Sequence, residues 1–85
     1  MKASNNENVS VQLKQTDRYL LYRVVGNYQR PLRFDLINLD GKKMRSIDLL
    51  FGNEFVIPIR GLSEGEYLYA LNGTKGLLQS GVIHL

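Results

Sequence analysis

Residues 32–71 read L-R-F-D-L-I-N-L-D-G-K-K-M-R-S-I-D-L-L-F-G-N-E-F-V-I-P-I-R-G-L-S-E-G-E-Y-L-Y-A-L. Leu32, Phe34 and Leu36 alternate with Arg33 and Asp35, and Phe55, Ile57 and Ile59 recur at the same spacing as the inward face of a further strand. A period of two belongs to a strand with one buried face. Asp40-Gly41 and Gly52-Asn53 break the alternation. Both pairs suit tight turns, Gly41 because a hairpin turn needs a positive φ. The run Gly61-Leu62-Ser63-Glu64-Gly65 then turns straight into Glu66-Tyr67-Leu68-Tyr69. A tyrosine that opens a strand after a tight corner predicts a tyrosine corner, with the hydroxyl bonded back to upstream backbone. Leu62 is expected to plug the core there. Gly41, Gly61, Leu62, Gly65 and Tyr67 therefore read as structural framework.

Outward from this stretch the same pattern continues. Val9, Val11 and Leu13 alternate with polar residues in a first strand, and Gln15-Thr16-Asp17 closes a hairpin. Arg18 to Val25 is largely apolar on both faces, which predicts a central strand. Gly26 to Pro31 is a loop. The third strand is expected to run to about Leu39, and Lys42 to Leu50 forms a fourth strand or irregular edge. Pro58 has no N–H to donate, so the fifth strand is an edge strand or Pro58 stands where an N–H would face solvent. Tyr67, Tyr69 and Leu71 share a face of the sixth strand, Asn72 to Gly76 turns, and Leu77 to Leu85 is the last strand. Ile83 and Leu85 share one face of it, Val82 and His84 the other. Gly81 inside it predicts a bulge or a close backbone approach. About seven short strands with turns every 8–12 residues or so predict an all-β sandwich or barrel. The domain is expected over residues 9–85, behind a flexible, polar segment 1–8.

The chain has 85 residues, enough for one domain with a modest core. It has no cysteine, which excludes a disulfide framework and a thiolate zinc site. One histidine, His84, cannot build a multi-histidine metal site. No apolar run approaches the ~20 residues that span a bilayer, and Met1 to Asn8 lacks the apolar core of a signal peptide. The net charge is +3, with seven basic residues and two acids between Arg18 and Arg45. Such a basic middle attracts anions, but alternation also puts charges on solvated strand faces.

Nothing in the pattern predicts catalysis or a cofactor. There is no Gly-x-Ser-x-Gly elbow, and the glycines lack phosphate-loop spacing. Asp35, Asp48 and Glu66 sit beside apolar residues at strand spacing and are expected to face outward. Tyr19, Tyr22 and Tyr28 in the basic region could stack on bases. Strand aromatics more often fill cores, however, and no nucleic-acid motif is present, so nucleic acid is not an expected partner. Asn8-Val9-Ser10 and Asn72-Gly73-Thr74 match a glycosylation triplet that is common by chance.

Three pieces, in order, resemble the C-terminal sorting domains of the type IX secretion system of Bacteroidota. Leu32 to Met44 is similar to an apolar-x-apolar-x-apolar-Tyr-Asp-x-x-Gly-Lys-x-Val run. Ile57 to Tyr67 is similar to Ile-Asp-Leu-Ser-x-Leu-Pro-x-Gly-x-Tyr. Leu77 to Leu85 resembles the closing strand. Ile37 and Pro58 replace the usual Tyr and acid, the Asn-Pro opening is absent, and the last strand lacks the usual basic residues. The resemblance implies an immunoglobulin-like antiparallel β sandwich without catalytic activity. It would be recognised by secretion-machinery proteins for export through the periplasm and surface attachment of a parent protein. The location implied is secreted or cell-surface. Recognition would fall on Gly81, Val82, Ile83, His84 and Leu85, with Arg33, Lys42 and Lys43 on the basic face. The alternative is a small secreted or accessory immunoglobulin-like module that binds a ligand or serves a structural role, with a surface around Tyr28, Arg30 and Arg33.

Overall fold

A computed structural model describes residues 8–85. The expected flexible segment 1–8 lies outside the described residues except for Asn8, which opens the first strand. Seven strands follow one another: β1 Asn8–Gln15, β2 Tyr19–Asn27, β3 Leu32–Ile37, β4 Lys43–Leu49, β5 Glu54–Pro58, β6 Glu66–Gly73 and β7 Gly76–His84. All pairings are antiparallel. One sheet has the order β1-β2-β5 and the other β4-β3-β6-β7. The two pack as a β sandwich. In the constant-type immunoglobulin order the fourth strand lies beside the fifth; here it pairs with the third.

Alternation decides which side chains meet between the sheets. Leu20, Tyr22 and Val24 point inward from β2, and Phe55 and Ile57 from β5. Leu32, Phe34 and Leu36 from β3 and Tyr67, Tyr69 and Leu71 from β6 meet them. Four rings form the centre. Tyr22 lies 4.7 Å from Phe34 and 5.2 Å from Tyr69 between centroids, and Phe34 stacks on Tyr69 at 5.8 Å and 8°. Phe55 closes the cluster 5.8 Å from Phe34. Tilted and offset ring pairs of this kind add about 0.5–1.5 kcal/mol beyond their burial.

β2 is central and β5 is an edge strand, as their patterns predict. The pairing of β2 with β5 runs on past Pro58, where the Ile59 amide donates to the Arg18 carbonyl at 3.0 Å. The third strand is shorter than expected and stops at Ile37. There Asn38 takes over: its Oδ1 accepts the amides of Asp40 and Lys42, both at 2.9 Å, and Gly41 takes a φ of 88°. This side chain to backbone competition is what ends the ladder.

The tyrosine corner is present. The Tyr67 hydroxyl donates to the Ser63 carbonyl at 2.7 Å, and Tyr67 is buried. Leu62 is half-buried against the core, held by its amide to the Ile59 carbonyl. Gly65 has φ 141° and pairs through both backbone groups with Leu85, at 2.9 and 3.2 Å. The corner thus pins the end of β7. Gly81 is a close approach rather than a bulge: the register shift between β6 and β7 falls at Leu71/Asn72, while Tyr69 lies against Gly81.

Candidate functional site

The outer face of the four-stranded sheet gathers the polar side chains that the framework does not use. Register puts Asp48, Arg33, Asn72 and Leu77 in one row across β4, β3, β6 and β7. The next row is Ser46, Asp35, Ala70 and Ser80. Below it Ile37, Leu68 and Val82 form an apolar row, with Lys43 opposite Ile37.

Asp35 corrects the outward, solvated position expected for it. It shares the outer face but is only 4% exposed. Neighbours on β4 cover it: the Ser46 hydroxyl donates to Oδ1 at 2.6 Å, and Lys43 Nζ lies 3.6 Å from Oδ2. A buried carboxylate demands such partners, because leaving water unpaired would cost it several kcal/mol. Asp48 and Glu66 are exposed, as expected.

Arg33 and Asp48 form a forked pair, Nε to Oδ1 at 2.8 Å and Nη2 to Oδ2 at 3.4 Å. The Arg33 hydrogen bond holds the Asp48 carboxyl below its ordinary range, and the same contact pushes the Arg33 guanidinium further up. Pro31, Leu50, Asn72 and Thr74 join this pair, Asp35 and Lys43 around an open groove of about 440 Å³. Volumes of this order suit small ligands.

Two other basic residues of the middle stretch, Arg30 and Arg45, are engaged locally. Arg30 donates to the Gly52 carbonyl at 2.6 and 3.1 Å and stacks on Tyr28, 5.1 Å from the ring centroid. Arg45 donates from β4 to the carbonyls of Pro58 and Arg60, at 2.9 and 3.0 Å. The patch around Tyr28, Arg30 and Arg33 is thus a set of paired groups. Lys42 is exposed in the β3–β4 turn.

The structure splits the last-strand residues between two roles. Ile83 is 3% exposed and belongs to the core, and Leu85 packs partly against it. Val82 and His84 face solvent, with His84 Nε2 3.6 Å from Glu66 Oε2. β7 is an edge strand, hydrogen-bonded to β6 along one side only among the described residues. The groove is not where the sequence places recognition. Only Arg33 and Lys43 are shared, and Asp35, Asp48 and Asn72 join them through cross-strand register that a linear pattern does not encode.

Among the described residues no group of three or more His, Cys, Asp or Glu is placed to hold a metal ion, and no helix is long and apolar enough to cross a membrane. No family model and no curated protein matches the sequence.

Proposed function

We propose that the domain is a non-catalytic recognition module, and specifically a sorting domain read by type IX secretion machinery for export and surface attachment of a parent protein. The observation that carries this reading is the placement of β7. It is an edge strand with Val82 and His84 exposed on its outer face and Ile83 anchored in the core. An edge strand offers unpaired backbone donors and acceptors. A partner can read these by adding a strand, with alternate side chains supplying specificity. The Gly65–Leu85 backbone pair holds the end of this edge in register for a partner.

The test is export. Residues 1–85 are fused behind a signal peptide and a reporter in a host with a working type IX system and in an isogenic secretion mutant. The reporter is expected at the surface of the first and in the periplasm of the second. Periplasmic retention in both hosts refutes the sorting role.

A further inference from the structure

We infer that the groove over Asp35 is a binding site for a neutral carbohydrate, one sugar ring of a glycan seated on the outer face of the four-stranded sheet. This inference is independent of export by any route.

The first argument is the state of Asp35. Its side chain is 6% exposed, yet it borders an open groove. Oδ1 has a strong donor in Ser46, but the Lys43 ammonium lies 3.6 Å from Oδ2, long for a direct hydrogen bond. Asp35 lines the groove, and a carboxylate oxygen whose ammonium contact is this long has lone-pair capacity for a further donor. A sugar hydroxyl supplies that donor and can accept from the Lys43 ammonium with its own oxygen.

The second argument is charge. The groove carries two bases and two acids, each base beside an acid: Arg33 with Asp48 and Lys43 with Asp35. A free anion would have to displace Asp48 from Arg33, and a free cation would have to displace Lys43 from Asp35. A polyhydroxyl ligand displaces neither. It donates to the carboxylates while accepting from the guanidinium, the ammonium and the Asn72 amide. Leu50 is 58% exposed and stands with Pro31 at the groove wall. Together they offer an apolar surface to the C–H face of a sugar ring. A few fixed polar groups beside an apolar wall is the ordinary composition of a small-ligand site.

The experiment is a titration of the ¹⁵N-labelled chain followed by amide chemical shifts. The probes are methyl α-glucoside, methyl α-mannoside, methyl β-galactoside and N-acetylglucosamine at millimolar concentrations, with inorganic phosphate and methylammonium as charged controls. At least one neutral sugar is expected to give saturable shifts centred on residues 33–35, 46–48 and 72–74. Asn72→Ala and Asp35→Asn are each expected to weaken that binding about tenfold, a change of about 1.4 kcal/mol. Asn72→Ala and Leu50→Ala decide the matter should Asp35→Asn fail to fold. Absence of saturation with every sugar overturns the inference. So do shifts centred elsewhere, tighter binding of phosphate or methylammonium, or unchanged affinity in the variants. A chain that fails to export but binds sugar keeps this site and loses the sorting role; the reverse result does the opposite.

Discussion

A Cβ placed on Gly81 would lie 2.6 Å from Cε2 of Tyr69 and 3.1 Å from its hydroxyl oxygen. Gly81 stands opposite Tyr69 across the β6–β7 ladder, so the ring lies over the glycine. The ring cannot easily give way, because it is also stacked on Phe34. Gly81→Ala is therefore expected to destabilise the fold by about 1–3 kcal/mol through overpacking. Urea denaturation measures it, and Tyr69→Leu in the same chain should recover part of the loss. Gly65 is the contrast. A Cβ there meets nothing within 4 Å among the described residues, but φ is 141°, so Gly65→Ala strains the backbone and no second-site change to a side chain rescues it.

Two buried tyrosines make opposite predictions about their hydroxyls. The Tyr67 hydroxyl bonds the Ser63 carbonyl at 2.7 Å, with the Ser63 hydroxyl 3.3 Å away. Tyr67→Phe leaves that carbonyl short of a donor and should cost about 1–2 kcal/mol. An unchanged urea midpoint would remove the corner from the account of stability.

The Tyr22 hydroxyl is buried with no hydrogen-bond partner among the described residues. Burial pushes its phenol far above the ordinary value of 10.0, and the neighbouring Tyr69 hydroxyl adds to the shift without reaching hydrogen-bond geometry. Tyr22→Phe is expected to leave stability at neutral pH within about 1 kcal/mol of the parent, in either direction. At alkaline pH the two chains diverge. With the folded pKa above the unfolded one, the contribution is complete below pH 10.0 and is lost as pH rises towards the folded value. The parent should thus lose up to about 1.4 kcal/mol per pH unit above 10 relative to Tyr22→Phe. Parallel urea midpoints for the two chains up to pH 11.5 or so would refute a buried, protonated Tyr22.

Asp48 titrates in the other direction. The Arg33 hydrogen bond depresses its folded pKa below the ordinary carboxyl value of 3.8. What the pair adds to stability is present above the unfolded pKa and lost as pH falls through the folded one. Both side chains are about half exposed, so solvent and salt screen the pair and the stability change should be small. The sensitive measurement is the side-chain carboxyl chemical shift. Its midpoint should lie below that of a model peptide and return to it in Arg33→Ala.

Much of this architecture is legible in a linear pattern because alternation reports one thing directly, the face on which a side chain lies. Leu20, Tyr22 and Val24 between apolar neighbours mark a central strand, Pro58 marks an edge, and Gly61 to Tyr67 marks a corner. Alternation does not report which strand lies beside which. Asp35 shows the consequence. Its polar position puts it on the outer face, where solvent is the default, but Ser46 and Lys43 of β4 close over it. Gly81 is similar: a glycine in a strand announces a bulge or a close approach, and only the β6–β7 register decides for the approach and names Tyr69 as the partner. The groove is assembled by register from three strands and the loops beside them, so no contiguous motif could have announced it.

Arg45 offers a test of how the two sheets are held together. It sits on β4, an edge of one sheet, and reaches the end of β5, an edge of the other, where it donates to the carbonyl of Pro58 and, just beyond the strand, to that of Arg60, while a third nitrogen donates to its own neighbour Met44 at 2.8 Å. A guanidinium can satisfy three carbonyls at once because its donors are fixed in one plane; an ammonium on a flexible stem cannot hold the same geometry. Arg45→Lys should therefore cost nearly as much as Arg45→Met, about 1–2 kcal/mol in urea denaturation for a half-exposed, charge-assisted brace. Amide exchange sharpens the test. Loss of the brace should accelerate exchange in β4 and β5 and leave β6 protected, because β6 keeps a strand on either side. A cost within about 0.5 kcal/mol for both variants, the range of ordinary surface substitutions, would mean that the aromatic core alone fixes the two sheets.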